Sequence, residues 1–345
     1  MTSKPIGGNL PKLSVRLHGG LTARECVELA EAAEAAGFAS LWFAENAFAR
    51  GILPSAAASA MATRRIGIGA GVFNPFSRHP TLMAMEVAAL DELSGGRTML
   101  GIGAGIASAV RKLGLDPDKP APALRDTLII LRKLFAGETV DHAGARFSAQ
   151  GVKLEYPSRA DLPILVAGRG EITSKMSGEL ADGVIISNMC SLPFAARTAE
   201  RVNAGRSAVG RSGAAHAVQY MPCSVDVDEQ RAVTLAKFAV AEMLTSFWRL
   251  GERVASARDA ILSEGTVSAD EYQSAVQMLQ AGGSPEQLDA RIARAFVLCG
   301  TPEACLARAA EYAAGGVTEL ALTFSGPTQI EQMRLLGDAL RRAGS

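Results

Sequence analysis

The sequence predicts a (β/α)8 TIM barrel, on three observations. Eight short apolar runs of strand length alternate with helical segments. No stretch between them has the composition of a flexible linker, so the 345 residues are read as one domain, 1–345. Two of the runs are near-copies, IGIGAGV at 66–72 and LGIGAGI at 100–106, in which glycine alternates with apolar residues at the period of a buried strand. A doubly wound sheet is the competing architecture, but it usually has fewer such units.

The elements follow in order. Residues 13–17 form the first strand, ending at His18, and Thr22 with Glu25 offers a capping box for a helix that stops at Gly37. SLWFA at 40–44 is the second strand, leading into Glu45 and Asn46, and a small-residue helix covers 52–62. Arg65 opens the third strand, Pro80 fits the first turn of a helix over 81–93, and the fourth strand spans 98–102. A helix over 123–136 follows.

Residues 140–155 then break the rhythm, with alternating apolar residues around Ala143-Gly144, which predicts a β-hairpin insertion at about 138–160. Strands five to seven fall at 163–167, 183–187 and 217–225, with helices over 170–181 and 192–204 between them. Residues 229–292 read as helix throughout, the helix after strand seven plus a helical insertion at about 240–292. Thr301-Pro302-Glu303 starts another helix, 319–324 is strand eight, and a last helix runs to the C-terminus.

Composition narrows the functions. Thirty-five basic residues balance thirty-five acidic ones, which gives no reason to expect a nucleic-acid or membrane-surface partner. The cysteines at 26, 190, 223, 299 and 305 are scattered and odd in number, as expected for reduced thiols in a cytoplasmic protein. The segment MTSKPIGGNLPK lacks the apolar core of a signal peptide, and no run approaches a membrane span. The histidines at 18, 79, 142 and 216 are too dispersed to suggest a metal site.

In a barrel the ligand sits at the C-terminal ends of the strands. Those ends are His18, Glu45 and Asn46, Gly71 to Asn74, Gly103 to Gly105, Gly168 to Gly170, and Ser187 with Asn188. Two further ends are Met221-Pro222 and Thr323 to Ser325. Glu45, beside an aromatic strand, reads either as an acid for proton transfer or as the partner of an arginine such as Arg50. His79 before Pro80 reads as a helix-start hydrogen bond. Gly168-Arg169-Gly170 presents free backbone N–H groups and a guanidinium, suited to an anion. The glycine rows at 67, 69, 71 and at 101, 103, 105 leave two explanations open: room for a flat ligand, or tight barrel packing. GxGxxG fails at Ile106, which argues against a dinucleotide site there.

VFNPFSRHP at 72–80 followed by ALDELSGGRTMLGIGAG at 89–105 resembles the luciferase-like oxidoreductase superfamily. The likeness is greatest to its deazaflavin (coenzyme F420)-dependent branch, which includes methylenetetrahydromethanopterin reductase. SLWFAEN, PILVAGRG and ELADGVIIS support the likeness over roughly the first 200 residues.

The resemblance implies an oxidoreductase moving a hydride between F420 and a small organic substrate. FMN-dependent oxygenation is the alternative, and binding without turnover is a third reading. It also implies a cofactor ring over strand three, against a non-prolyl cis peptide near Gly71-Val72, which favours the ligand explanation of the glycines. The cofactor residues so implied are Gly71, Val72, Asn74, Gly103, Ala104, Gly105, Gly168, Arg169, Gly170, Ser187 and Asn188. Glu45, Asn46 and His18 are the catalytic candidates, no metal is implied, and a homodimer is expected. Asn46 stands where members often carry histidine, and Ile106 where several carry an acid, which argues against glucose-6-phosphate oxidation.

Overall fold

The computed structural model describes residues 10–344, so most of the segment read for targeting lies outside the described residues. The chain begins β1 (Lys12–His18), α1 (Ala23–Ala36), β2 (Ser40–Ala44), α2 (Ile52–Ala62), β3 (Gly67–Phe73), α3 (Pro80–Ser94) and β4 (Thr98–Gly103). After α4 (Ala107–Lys112) and α5 (Pro120–Phe135), β5 (Val140–Ala143) and β6 (Ser148–Val152) pair antiparallel as the expected hairpin. The alternation resumes with β7 (Ile164–Ala167), α6 (Glu171–Leu180), β8 (Gly183–Ile186), α7 (Leu192–Ala208) and β9 (His216–Val225).

The helical region is α8 (Glu229–Gly251), α9 (Ala255–Leu262), α10 (Ala269–Gln280), a 3-10 turn at Pro285–Gln287, and α11 (Ala290–Phe296). The chain closes with β10 (Leu298–Gly300), α12 (Pro302–Ala314), β11 (Glu319–Phe324) and α13 (Gln329–Gly344). No helix among the described residues is long and apolar enough to cross a membrane.

Eight parallel strands close into a barrel in the order β9-β11-β1-β2-β3-β4-β7-β8, with β8 pairing back onto β9. β10, which the sequence reading missed at three residues, pairs with the end of β9 past the last residue bonded to β8.

Local chemistry explains where the boundaries fall. Thr22 and Glu25 form the capping box of α1, and Gly37 ends that helix at φ +89°. β3 starts at Gly67 rather than Arg65, because the Glu34 carboxylate accepts the N–H groups of Arg64, Arg65 and Ile66. α5 starts at Pro120, earlier than expected, since both of its prolines lie in the first turn where no N–H is needed. α7 runs on through Gly205, whose missing side chain lets α7 pack on the main chain of Lys175 in α6.

Two faces of each strand build two cores. Leu13, Val15 and Leu17 of β1 pack outward with the helices, as do Leu41 and Phe43 of β2. Trp42, Leu165, Ile185, Val218, Tyr220 and Ala321 form a separate buried cluster from the other strand faces, which fills the barrel. A third cluster, including Val233, Trp248, Tyr272 and Phe296, belongs to the helices α8 to α11.

Arg97 ties the lower end of the barrel together. Its guanidinium donates to the carbonyls of Ser94 (2.6 Å), Ile66 (2.6 Å) and Ala60 (2.7 Å). Gly95 and Gly96, both at positive φ, turn the chain from α3 into that clamp.

Candidate functional site

The barrel interior is stopped by Trp42. Its indole is fully buried and donates Nε1–H to Glu319 Oε1 at 2.7 Å. Glu319 also pairs through Oε2 with His216 Nε2 at 2.7 Å and accepts from Ser40 Oγ. Burial pushes the Glu319 carboxyl up, but His216, Ser14 and Ser40 outweigh it and bring it down to about 2.

This floor decides the glycine question. A Cβ on Gly69 would stand 2.5 Å from the Trp42 ring, and one on Gly71 would stand 2.7 Å from the Gly101 Cα and carbonyl oxygen. A Cβ on Gly101 would meet Ile185 Cδ1 at 2.6 Å, and one on Gly103 would meet Val72 Cγ1 at 2.6 Å. Protein fills the space over these glycines, which corrects the explanation that the resemblance favoured. Gly105 lies beyond β4 at φ +66°, so it does not share the strand face expected of it.

Above the floor, the strand ends open. Arg16, His18, Glu45, Val72, Asn74, Ala104, Gly168, Ser187 and Thr323 are all half-exposed. His18 Nδ1 accepts from the Gly20 N–H at 3.1 Å, and burial followed by the nearby Arg16 charge holds its ring below the usual imidazole range. Asn46 is exposed, and its Oδ1 accepts from the Gly19 N–H at 3.1 Å, so the loops after β1 and β2 are joined.

Glu45 is bonded to Arg78 (3.2 Å). Arg50, the partner considered from sequence, instead donates to the Gly20 carbonyl at 2.9 Å. Arg78 lies 4.3 Å over the Phe73 ring and also reaches Glu86 at 2.9 Å. His79 acts as expected, capping α3 by accepting the Thr81 N–H at 3.3 Å.

The peptide between Gly71 and Val72 is cis, at the place the resemblance indicated. Asn74 turns the chain after β3, its Oδ1 accepting from the Phe76 N–H at 2.9 Å. At the other side of the mouth, Gly170 precedes α6 with no side chain capping the helix, and the space over its Cα is open. Those uncapped N–H groups suit a phosphate. Arg169, next to them, is drawn to the Asn188 carbonyl (3.0 Å), Cys190 Sγ (3.4 Å) and the Phe247 ring (4.9 Å). Ser187 is held through its carbonyl by Gln219 at 3.0 Å, while the buried Asn188 Oδ1 has no partner.

Sequence reasoning placed Thr323 at a strand end but missed Arg16, Tyr220 and Arg78. In LSVRL the apolar residues alternate, so Arg16 falls on the face opposite Val15 and Leu17, and that signal was available. No cluster of three or more histidine, cysteine or acidic side chains placed to hold a metal occurs among the described residues.

The family of luciferase-like monooxygenases matches this chain over residues 9–319. A 5,10-methylenetetrahydromethanopterin reductase of Archaeoglobus fulgidus is 29% identical over 314 residues, covering 88% of this chain and 91% of its own. An F420-dependent glucose-6-phosphate dehydrogenase of Microbacterium testaceum is 29% identical over 176 residues, 48% of this chain and 52% of its own. In solved structures, the coenzyme F420-dependent tetrahydromethanopterin reductase of Methanopyrus kandleri superposes with a TM-score of 0.85 at 24% identity, covering 96% of this chain and 98% of that one. The (β/α)8 barrel, the cis peptide at its third strand and the match along most of the chain converge: this protein belongs to the luciferase-like monooxygenase family.

Proposed function

We propose that the protein is an oxidoreductase that moves a hydride between coenzyme F420 and a small organic substrate at the open end of the barrel. One observation carries this reading: the likeness to methylenetetrahydromethanopterin reductases extends over 88% of the chain. The F420-dependent structural neighbour shares the whole barrel.

F420, when bound, would supply a two-electron carrier able to give or take a hydride. The chain's own residues do the rest. Val72, beside the cis peptide, and Ala104 present half-exposed apolar surface for a ring, and the Trp42 floor keeps that surface dry from below. Gly103 ends β4 against Val72, and Asn74 and Gly105, facing each other, shape the loops around that surface. The uncapped start of α6 at Gly168 to Gly170 offers N–H groups to a phosphate, with Ser187 and Asn188 beside it through Arg169. Glu45, poised by Arg78, is the polar group assigned to the reacting carbon; Asn46 and His18 hold the two loops that frame it.

Titration of the purified protein with F420 and with FMN tests the reading directly. F420 is expected to bind at least tenfold more tightly. Tighter binding of FMN, with oxygen consumed on reduction, would replace this reading with a flavin monooxygenase. Stoichiometric F420 binding with no reduction of any substrate would leave a binding protein.

A further inference from the structure

Arg16 stands on the inward row of β1, level with Trp42 of β2. Its Nη1 donates to Thr323 Oγ1 at 3.2 Å, and its guanidinium lies 5.0 Å over the Tyr220 ring. Its Nε is buried without a partner, and so is the Tyr220 hydroxyl. No ion pair joins Arg16 to a carboxylate among the described residues.

Arg97 shows what an arginine built for structure looks like in this chain. It spends its donors on the carbonyls of three separate segments. Arg16 has one hydroxyl. A guanidinium surrounded by protein without a counter-charge is expensive to keep, and burial holds that of Arg16 below its usual range, yet the side chain retains accessible surface. That surface faces the open end, because the layer at and below it is closed by Trp42, Leu165 and Ile185.

We propose that Arg16, with the Tyr220 hydroxyl, is an anion-recognition site at the floor of the barrel mouth, taking a planar delocalised oxyanion. The flat guanidinium edge matches a carboxylate or an enolate-like edge. Thr323 fixes Nη1, and the accessible part of the guanidinium meets the ligand first; the buried Nε–H and phenol O–H, both without partners, join it when the two side chains turn toward the ligand. Two sources carry this chemistry: a carboxylate of the substrate, or the pyrimidinedione edge of the cofactor ring. The choice between them rests on the oxidoreductase reading; the anion site itself does not.

The test compares formate with formamide, and benzoate with benzamide, by calorimetry at constant chloride, on the wild type and on Arg16→Met and Arg16→Lys. The wild type is expected to prefer an anion over its neutral amide by at least tenfold. Arg16→Met should erase that preference without lowering Tm, since it removes a poorly paired charge; Arg16→Lys should keep part of it. If Arg16→Met also weakens F420 tenfold, the ring supplies the anion. If F420 affinity holds and the F420-loaded wild type still prefers the anions, the substrate supplies it. No preference for either anion in the wild type, with F420 affinity unchanged in Arg16→Met, overturns the proposal. A lowered Tm with the preference intact overturns it as well. Failure of the wild type to bind F420 or FMN would sink the oxidoreductase reading, while the formate comparison would still decide Arg16.

Discussion

The Trp42 indole reaches past β1 to donate its N–H to Glu319 Oε1, joining the second and last strands of the barrel. Glu319 is 1% exposed, and the serine, tryptophan and histidine donors around it are what make a charge tolerable there.

Glu319→Gln is therefore expected to destabilise the fold by about 3–5 kcal/mol at pH 7, as breaking a buried pair does. The carboxyl falls from its ordinary 4.5 to about 2 in the fold, so its stabilisation is complete above pH 4.5. It is lost as pH falls toward 2. Urea melts of both proteins from pH 7 to pH 2.5 should show the gap closing below pH 4.5. A gap independent of pH would refute this account.

Alanine at the barrel glycines should rank by what its methyl meets. Gly71→Ala and Gly69→Ala, against the Gly101 main chain and the Trp42 ring, are expected to cost about 1–3 kcal/mol or more. Gly101→Ala should cost less, because Ile185 Cδ1 is the end of a side chain that can turn. Trp42→Phe should recover part of the Gly69→Ala loss in a double-mutant cycle. Additive losses would mean that the two do not share the space.

Arg97→Ala is expected to lower stability by about 1.5–3 kcal/mol or more, the worth of a charge-assisted hydrogen bond. Affinity for F420 should stay within about twofold, because the clamp sits at the ends of α2 and α3 rather than at the mouth. Loss of cofactor binding with Tm intact would place Arg97 in the site instead.

Glu45→Gln should leave stability within about 1 kcal/mol, since the Arg78 pair is partly solvated. Turnover should fall by more than tenfold with F420 affinity little changed. A fall below threefold, under about 1 kcal/mol of barrier, would make Glu45 a loop anchor.

Arg169→Ala tests the phosphate position. A phosphorylated cofactor is expected to lose about tenfold in affinity and phosphate-free riboflavin hardly any, through the 1.5–3 kcal/mol or so of a charged contact. Equal losses would assign Arg169 to holding Asn188, Cys190 and Phe247 together.

The fold was legible because each of the eight barrel strands carries a local signature. SLWFA, bounded by turns, and the helix 52–62 fall where the residues alone put them. The capping pair Thr22/Glu25 could be read in the same way, since it depends only on neighbours in sequence. The site was legible as a set of strand ends and no further. Which arginine meets Glu45 depends on how the loop after β3 returns over β2, and sequence distance favoured Arg50 wrongly. The glycine rows stayed ambiguous for a related reason. Their meaning is set by what neighbouring strands place over them, Trp42 over Gly69, Gly101 over Gly71, Ile185 over Gly101 and Val72 over Gly103, and a pattern within one strand carries no record of these partners.

The two tryptophans sit in different buried clusters, Trp42 in the barrel and Trp248 among the α8 to α11 helices, stacked on Tyr272 at 5.7 Å. The chain thus carries one tryptophan for each of two hydrophobic bodies. Trp248→Phe leaves a tryptophan emission that reports on the barrel interior, and Trp42→Phe leaves one that follows the helical layer. Melting the two variants side by side would show whether that layer unfolds in the same cooperative transition as the barrel or earlier, as a unit of its own.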